Sequence, residues 1–313
     1  MLTPEIFLIF LFVLADDFFK ANPVPPKPDP KWSLIPSEAV TLLIFSQWAR
    51  FRSEQDFYRF ADKKLRYLFP DIPCREQLNR QWRSLHDYVC KFFCHLAELM
   101  EAEKATYEAL DATAIVTRDA KRRGDGWLAG KADIGHSNRL GWYEGFKMLL
   151  ASTPEGIITG FGISPASDKE QPMAETFFCL RANPDARENI SSIASIGQNS
   201  NGCYYPVDKG FEGRKNQRFW NEQYGITIVY SPRRNSREPW SKELRKWLAS
   251  IRQIVETVFD KLLNTFRLDR ERPHELQGLR TRLAAKVALH SFCIWLNRQF
   301  GRSNLAFADL LGW

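Results

Sequence analysis

The stretch Tyr204-Tyr205-Pro206-Val207-Asp208-Lys209-Gly210-Phe211-Glu212-Gly213 constrains this chain more than any other. An apolar, aromatic run leads into one carboxylate, followed by a lysine and two glycines. Such a run predicts a buried strand ending in a tight turn. Asp208 then sits at the strand's carboxyl end, where α/β sheets present ligand-binding groups. A carboxylate there needs a positive partner to offset its lost solvation. Lys209 would meet that need on a surface, and a metal ion would meet it in a site. The choice turns on whether the rest of the chain supplies more acids in matching places.

At 313 residues the chain is long enough for a large core and two domains. Hydrophobic residues at 44% against charged residues at 26% exclude a disordered chain. A net charge of +7 favours an anionic partner, either nucleic acid or an acidic membrane surface. The six cysteines, Cys74, Cys90, Cys94, Cys179, Cys203 and Cys293, form no CxxC pair, which predicts reduced cytosolic thiols. Cys90 and Cys94 lie one helical turn apart beside His95, but two ligands on one face do not complete a tetrahedral metal site. The apolar run over residues 6–15 is too short to span a bilayer, Glu5 interrupts it early, and no basic segment precedes it. A buried first helix is expected, with a membrane anchor as the lesser alternative, and no membrane partner is expected.

Residues 22–31 hold five prolines and form a stiff connector, since proline supports neither a helix interior nor a central strand. Helical patterning resumes at Pro36. Ser53-Glu54-Gln55-Asp56 resembles a capping box that opens a helix through Phe57, Phe60 and Leu65. One long helical stretch is then expected from about Arg75 to Lys104, bearing Arg75, Arg80 and Arg83. Residues 1–104 thus read as an all-α amino-terminal domain. Its arginines suit either contact with DNA ends or a solvated face.

The texture changes at residue 105. Residues 107–116 read as a strand with Asp111 inside it, against propensity, and such violations concentrate at functional sites. A basic, glycine-rich segment over residues 121–131 reads as a loop, and His136 beyond it reads as a loop histidine, structural more often than a contact for a reacting phosphate. A hairpin follows over residues 142–150 and 156–163, turning at Thr153-Pro154-Glu155-Gly156. Ser167-Asp168-Lys169-Glu170 reads as a cap for a helix through Phe177. Then come the Asp208 strand, a basic helix from Arg214 to about Tyr224, and a strand over residues 226–230. A long helix opens near Ser241. It contains Glu256 among apolar neighbours, with Arg252 one turn earlier and in reach of a surface ion pair. Residues 105–313 are therefore expected to be an α/β domain, a mixed sheet with flanking helices.

Asp111 in Leu110-Asp111-Ala112-Thr113, the hairpin with Gly145-Phe146-Lys147, the Val207-Asp208-Lys209-Gly210-Phe211 turn, and Arg252 with Glu256 occur in this order. The ordered set resembles the DDE transposases of bacterial insertion sequences, whose catalytic domain has the RNase H-like fold. The chain departs from that pattern in two places. Ala249 stands where a tyrosine is usual and Leu263 where a lysine is usual, with Lys261 near but offset.

The resemblance implies that Asp111, Asp208 and Glu256 hold two Mg²⁺ ions, with Mn²⁺ able to substitute, and catalyse strand cleavage and transfer. It further implies double-stranded DNA as partner, both the element's terminal inverted repeats and the target. A homodimer that handles two ends together, acting on the nucleoid in the cytoplasm, completes the expectation. Lys147, Lys209, Arg214, Lys215, Arg218, Arg233, Arg234, Arg237, Arg252 and Lys261 are the phosphate-binding candidates. Trp127, Trp220 and Trp240 would stack on a displaced base or pack in the core. Three rivals stand beside this reading. They are an RNase H-like nuclease without strand transfer, a non-catalytic DNA-binding relative, and a carboxylate-pair enzyme acting on another substrate such as a sugar. The basic balance argues against the last.

Overall fold

A computed structural model of the protein describes residues 1–25, 32–119, 121, 125–137, 139–183, 193–195, 204–232, 236, 239–272 and 274–313. In chain order the helices are α1 (Pro4–Ala21), α2 (Pro36–Phe45), α3 (Glu54–Lys64), α4 (Arg75–Ser84), α5 (His86–Leu99), α6 (Glu170–Ala182), α7 (Arg214–Tyr224), α8 (Lys242–Asp260) and α9 (Leu276–Gln299). The strands are β1 (Ala109–Asp119), β2 (Asp133–Ser137), β3 (Gly141–Ser152), β4 (Ile158–Pro165), β5 (Ile193–Ser195), β6 (Tyr204–Pro206) and β7 (Thr227–Val229). The fold is mixed α/β with a helical amino-terminal region. The chain forms two compact units. One comprises Met1–Leu96, Leu262–Leu268 and Glu275–Trp313, and the other Ala97–Lys261 and Asp269–His274. The units thus differ from a single division after residue 104, because α9 packs on α2 and α4.

In the helical unit, α1 is capped by Thr3, whose Oγ1 accepts from the Ile6 N–H, and it buries Phe7, Leu8, Leu11 and Phe18. The Phe7 ring meets Phe292 of α9 edge-on at 5.0 Å. One face of the apolar start is therefore core, while Ile6, Ile9 and Val13 stay exposed, and no helix among the described residues is long and apolar enough to cross a membrane. Ser53 caps α3 through the Asp56 N–H at 3.1 Å, and Asp56 accepts in turn from the Arg52 N–H at 2.8 Å. The single helix expected over residues 75–104 is instead α4, α5 and a 3₁₀ turn at Ala102–Lys104. Tertiary bonds override the local pattern there. The Trp82 indole donates to the Ala39 carbonyl and Gln81 donates to the Leu34 carbonyl, each at 2.8 Å, and the chain breaks at buried Leu85.

In the second unit, β1, β3, β4 and β5 form an antiparallel succession, with β2 paired to the first part of β3. The hairpin expected from the sequence is β3–β4. Residues 133–137, read as loop, add the strand β2, with His136 opposite Trp142. A bulge between Val116 and Arg118 brings β1 so close to Gly145 that a Cβ there would lie 2.1 Å from the Ile115 carbonyl oxygen, so only glycine fits. β6 and β7 pair in parallel, and a parallel bridge between Tyr107 and Tyr204 joins them to the start of β1. Across this face the order is β4, β3, β1, β6, β7.

One core cluster lies beneath the junction. Leu110, Leu149 and Ala151 of the sheet meet Met173, Phe177 and Phe178 of α6, Tyr205 of β6, Val207 just after it, and Trp220 of α7. α8 packs against β1, β3 and β6 and buries Leu248, Val255 and Val258.

Candidate active site

Strand alternation places Asp111. Leu110, opposite Ala151, enters the core shared with α6 and α7, so the next side chain turns to the other face of the sheet. Asp111 is 22% exposed there. Its Oδ1 accepts from the Ala112 N–H at 2.8 Å, and its Oδ2 stands 3.7 Å from Arg252 Nη2. Burial pushes this carboxyl up to about 6. The Ala112 N–H and Arg252 pull it down, while the charges of Asp208 and Glu256 push it further up. Asp208 and Glu256 are therefore both within electrostatic reach of Asp111.

Register places Asp208. Tyr107 and Tyr204 are paired in parallel, and Asp111 and Asp208 each lie four residues farther on. At the same rise per residue they reach similar heights on neighbouring strands. Asp208 follows β6 and caps a 3₁₀ turn at Lys209–Phe211, with its Oδ1 accepting from the Gly210 N–H at 2.6 Å. Phe211 is fully buried and pins the turn to the core. Lys209 is exposed and makes no ion pair with Asp208 among the described residues.

Three residues before each aspartate, a second tie fixes the same strands. Arg181 of α6 holds both oxygens of Glu108, one of them at 3.0 Å, and also donates to the Tyr205 hydroxyl. The Glu108 and Arg181 side chains are completely buried. Such a pair holds α6, β1 and β6 in one arrangement because breaking it would strand a charge in the core.

Glu256 is exposed on α8, one turn beyond Arg252 on the same face. In place of the expected Arg252–Glu256 surface pair, Arg252 reaches from α8 to Asp111 of β1. Its Nε has no hydrogen-bond partner among the described residues.

The basic candidates separate. Lys147 is not a free cation on the surface, because its Nζ donates to the Asp168 carbonyl at 2.6 Å. Lys209, Lys215 and Arg218 are exposed, and Lys261 is half-buried at the end of α8. The Arg214 side chain, Arg233, Arg234 and Arg237 lie outside the described residues. Trp220 is fully buried and serves the core, while Trp127 is 67% exposed and stacks on His274 with ring centroids 3.4 Å apart. His136 packs edge-on against Trp142. Burial raises the pKa of the Cys90 thiol and favours its protonated form. Cys203 lies outside the described residues.

One acid at this site escaped the sequence reading. Glu170 opens α6, with Lys169 at the cap position and no side-chain cap bond, so the expected Ser167–Glu170 cap is not made by a side chain. Burial raises the Glu170 carboxyl above its ordinary value. Asp208 and Asp111 push it up as well, and Lys147 and Arg252 pull it down. The only signal in the sequence was an acid in a helix's first turn, which the helix dipole favours everywhere.

Residues 108–292 match the family model described as a transposase DDE domain. The chain belongs to the transposase DDE family. No curated protein and no solved structure matches it. The matched span of the DDE domain opens at Glu108 and takes in Asp111, Asp208 and Glu256. Among the described residues, no three His, Cys, Asp or Glu side chains of the DDE domain stand close enough to hold one ion as they are. The donors are nevertheless all carboxylate oxygens, the type that hard divalent cations take. Burial does most to raise the Asp111 carboxyl, and the smaller push from Asp208 and Glu256 is negative charge that a cation would offset.

Proposed function

We propose that this protein is a DNA transposase that cuts at the ends of an insertion sequence and joins them to target DNA, on a sheet of the RNase H-like kind. The observation that carries the reading is the matched position of Asp111 in β1 and Asp208 just past β6, each four residues beyond the parallel Tyr107–Tyr204 bridge, with the charge of Glu256 reaching Asp111 from α8. An antiparallel β1–β3–β4 run, followed through α6 and α7 by the parallel β6 and β7, supports the RNase H-like assignment.

Asp111, Asp208 and Glu256 would hold Mg²⁺, or Mn²⁺ in its place. When bound, two such ions supply charge neutralisation at the phosphate and activation of the attacking oxygen. The chain's own part is to keep Asp111 and Asp208 rigid through the Glu108–Arg181–Tyr205 bonds, and to surrender the Asp111 proton at neutral pH. Arg252 balances Asp111 from the helix that carries Glu256. Exposed Lys209, Lys215 and Arg218 are suited to phosphates of duplex DNA. Residues 1–104 would read the terminal repeats, and a homodimer in the cytoplasm would bring two ends together.

The test is incubation of supercoiled DNA carrying the element's ends with protein and Mg²⁺ or Mn²⁺. Nicked and joined products are expected. Asp111→Asn, Asp208→Asn and Glu256→Gln should each abolish cleavage yet leave DNA binding largely intact. Hydrolysis without joining would replace the reading with a nuclease, and binding without cleavage under either metal would leave a DNA-binding protein.

A further inference from the structure

We infer that Glu170 is a fourth carboxylate of this site, holding a divalent cation together with Asp208 across Gly210. The inference rests on the reading of Asp208 as a cation ligand. A Cβ built on Gly210 would lie 2.9 Å from Asp208 Oδ1 and 2.9 Å from Glu170 Oε2. Both oxygens thus sit around one point, and their separation is at most twice that distance. Glycine at 210 puts no side chain of its own between them.

Glu170 is fixed there from both sides. Its neighbour Gln171 donates to the carbonyls of Gly210 at 3.1 Å and Glu212 at 2.9 Å, and Asn216 of α7 in turn donates to the Gln171 oxygen at 3.2 Å. On the other side Lys147 of β3 holds the Asp168 carbonyl, two residues before Glu170. The start of α6 is therefore clamped to the Asp208 turn and to the sheet, and the two carboxylates are held near each other despite their repulsion. No ion pair holds Glu170 among the described residues, although Lys147 and Arg252 both act on its charge.

Two buried donors in electrostatic reach of Glu170 have no acceptor among the described residues. These are the hydroxyl of Tyr143, a residue only 2% exposed, and the Nε of Arg252. Buried donors of this kind call for a bound group or its waters. Water filling the space beside the two carboxylates would accept from both donors, and a divalent cation would offset the charge of the paired carboxylates. The competing role for Glu170 is purely local, a first-turn acid that favours α6 through the helix dipole.

Mn²⁺ titration of the full chain, followed by the electron paramagnetic resonance signal of the free ion, separates these roles when combined with thermal melting in chelator. Glu170→Gln is expected to weaken Mn²⁺ binding by at least about tenfold, with melting in chelator unchanged or raised. Glu170→Asp should recover part of the affinity. Gly210→Ala, whose methyl would enter the space between the two oxygens, should weaken binding while both carboxylates remain. If Asp208→Asn weakens Mn²⁺ binding and Glu170→Gln does not, Glu170 is no ligand and the wider reading stands. A lowered melting point with unchanged Mn²⁺ affinity in Glu170→Gln would assign it to the helix alone. If the wild type binds no Mn²⁺, or if neither Asp208→Asn nor Glu170→Gln changes binding, the inference and the reading beneath it both fall.

Discussion

Burial pushes the Asp111 carboxyl from 3.8 to about 6, and the neighbouring acids add to the effect. Below about pH 4 the folded and unfolded chains both keep this proton, so the site costs nothing. Between the unfolded and folded values the native state binds more protons, and stability falls as pH rises. Above about 6 the loss is complete. A rise of this size corresponds to about 3 kcal/mol at full strength, and partial exposure brings the expected value to about 1–2 kcal/mol. Asp111→Asn should therefore stabilise the protein by about that much at pH 8 in chelator, and hardly at all at pH 3.5. Urea unfolding at the two pH values measures it, and equal effects at both would show that the carboxyl is not strained. Asp111 was legible in the sequence because an acid inside a strand breaks the local pattern, and Asp208 because it ends an apolar run. Glu170 was not, because an acid opening a helix is ordinary. The partner of Arg252 was also hidden, since its contact with Asp111 spans strand and helix far apart in the chain.

The buried bridge from α6 to β1 and β6 makes a prediction about elements. Arg181→Met leaves Glu108 buried without its cation, and should destabilise the protein by about 3–5 kcal/mol. Adding Glu108→Gln removes the stranded charge, so the double variant should recover a large part of that loss. Chemical denaturation of the four proteins gives the coupling, and simple additivity would mean that the bridge is not what holds these elements. Caps and breakers made several elements readable. Ser53 and Ser241 open α3 and α8, and Gly225 ends α7 in a left-handed turn. α9 gave no such signal, because it is buried nearly all round and so lacks a polar face to set its period. β2 was missed for a related reason. Its five residues, Asp133-Ile134-Gly135-His136-Ser137, have almost no strand propensity of their own, and pairing with β3 imposes the conformation.

For the molecule as a whole, a net charge of +7 gives duplex DNA a general electrostatic attraction, but only exposed cations near the bound phosphates set its salt dependence. Lys215 and Arg218 lie three residues apart on α7 and are exposed, while Trp220 of the same helix anchors it in the core. Their side chains share one helical face, so one DNA backbone can meet both. If each neutralises one phosphate, alanine at either position should reduce the slope of log affinity against log salt by about 0.9, and the double variant by about twice that. The loss should be similar on terminal-repeat and unrelated duplexes, since phosphate contacts carry no sequence information. Asp208→Asn provides the control from the other direction. Removing an acid beside the proposed DNA path should leave the slope unchanged and slightly tighten binding in chelator, because no counterion release depends on it. Binding isotherms at four or five salt concentrations decide the matter. An unchanged slope in the double variant would place the DNA on another face, and a loss confined to the terminal repeats would mean that α7 reads bases instead of backbone.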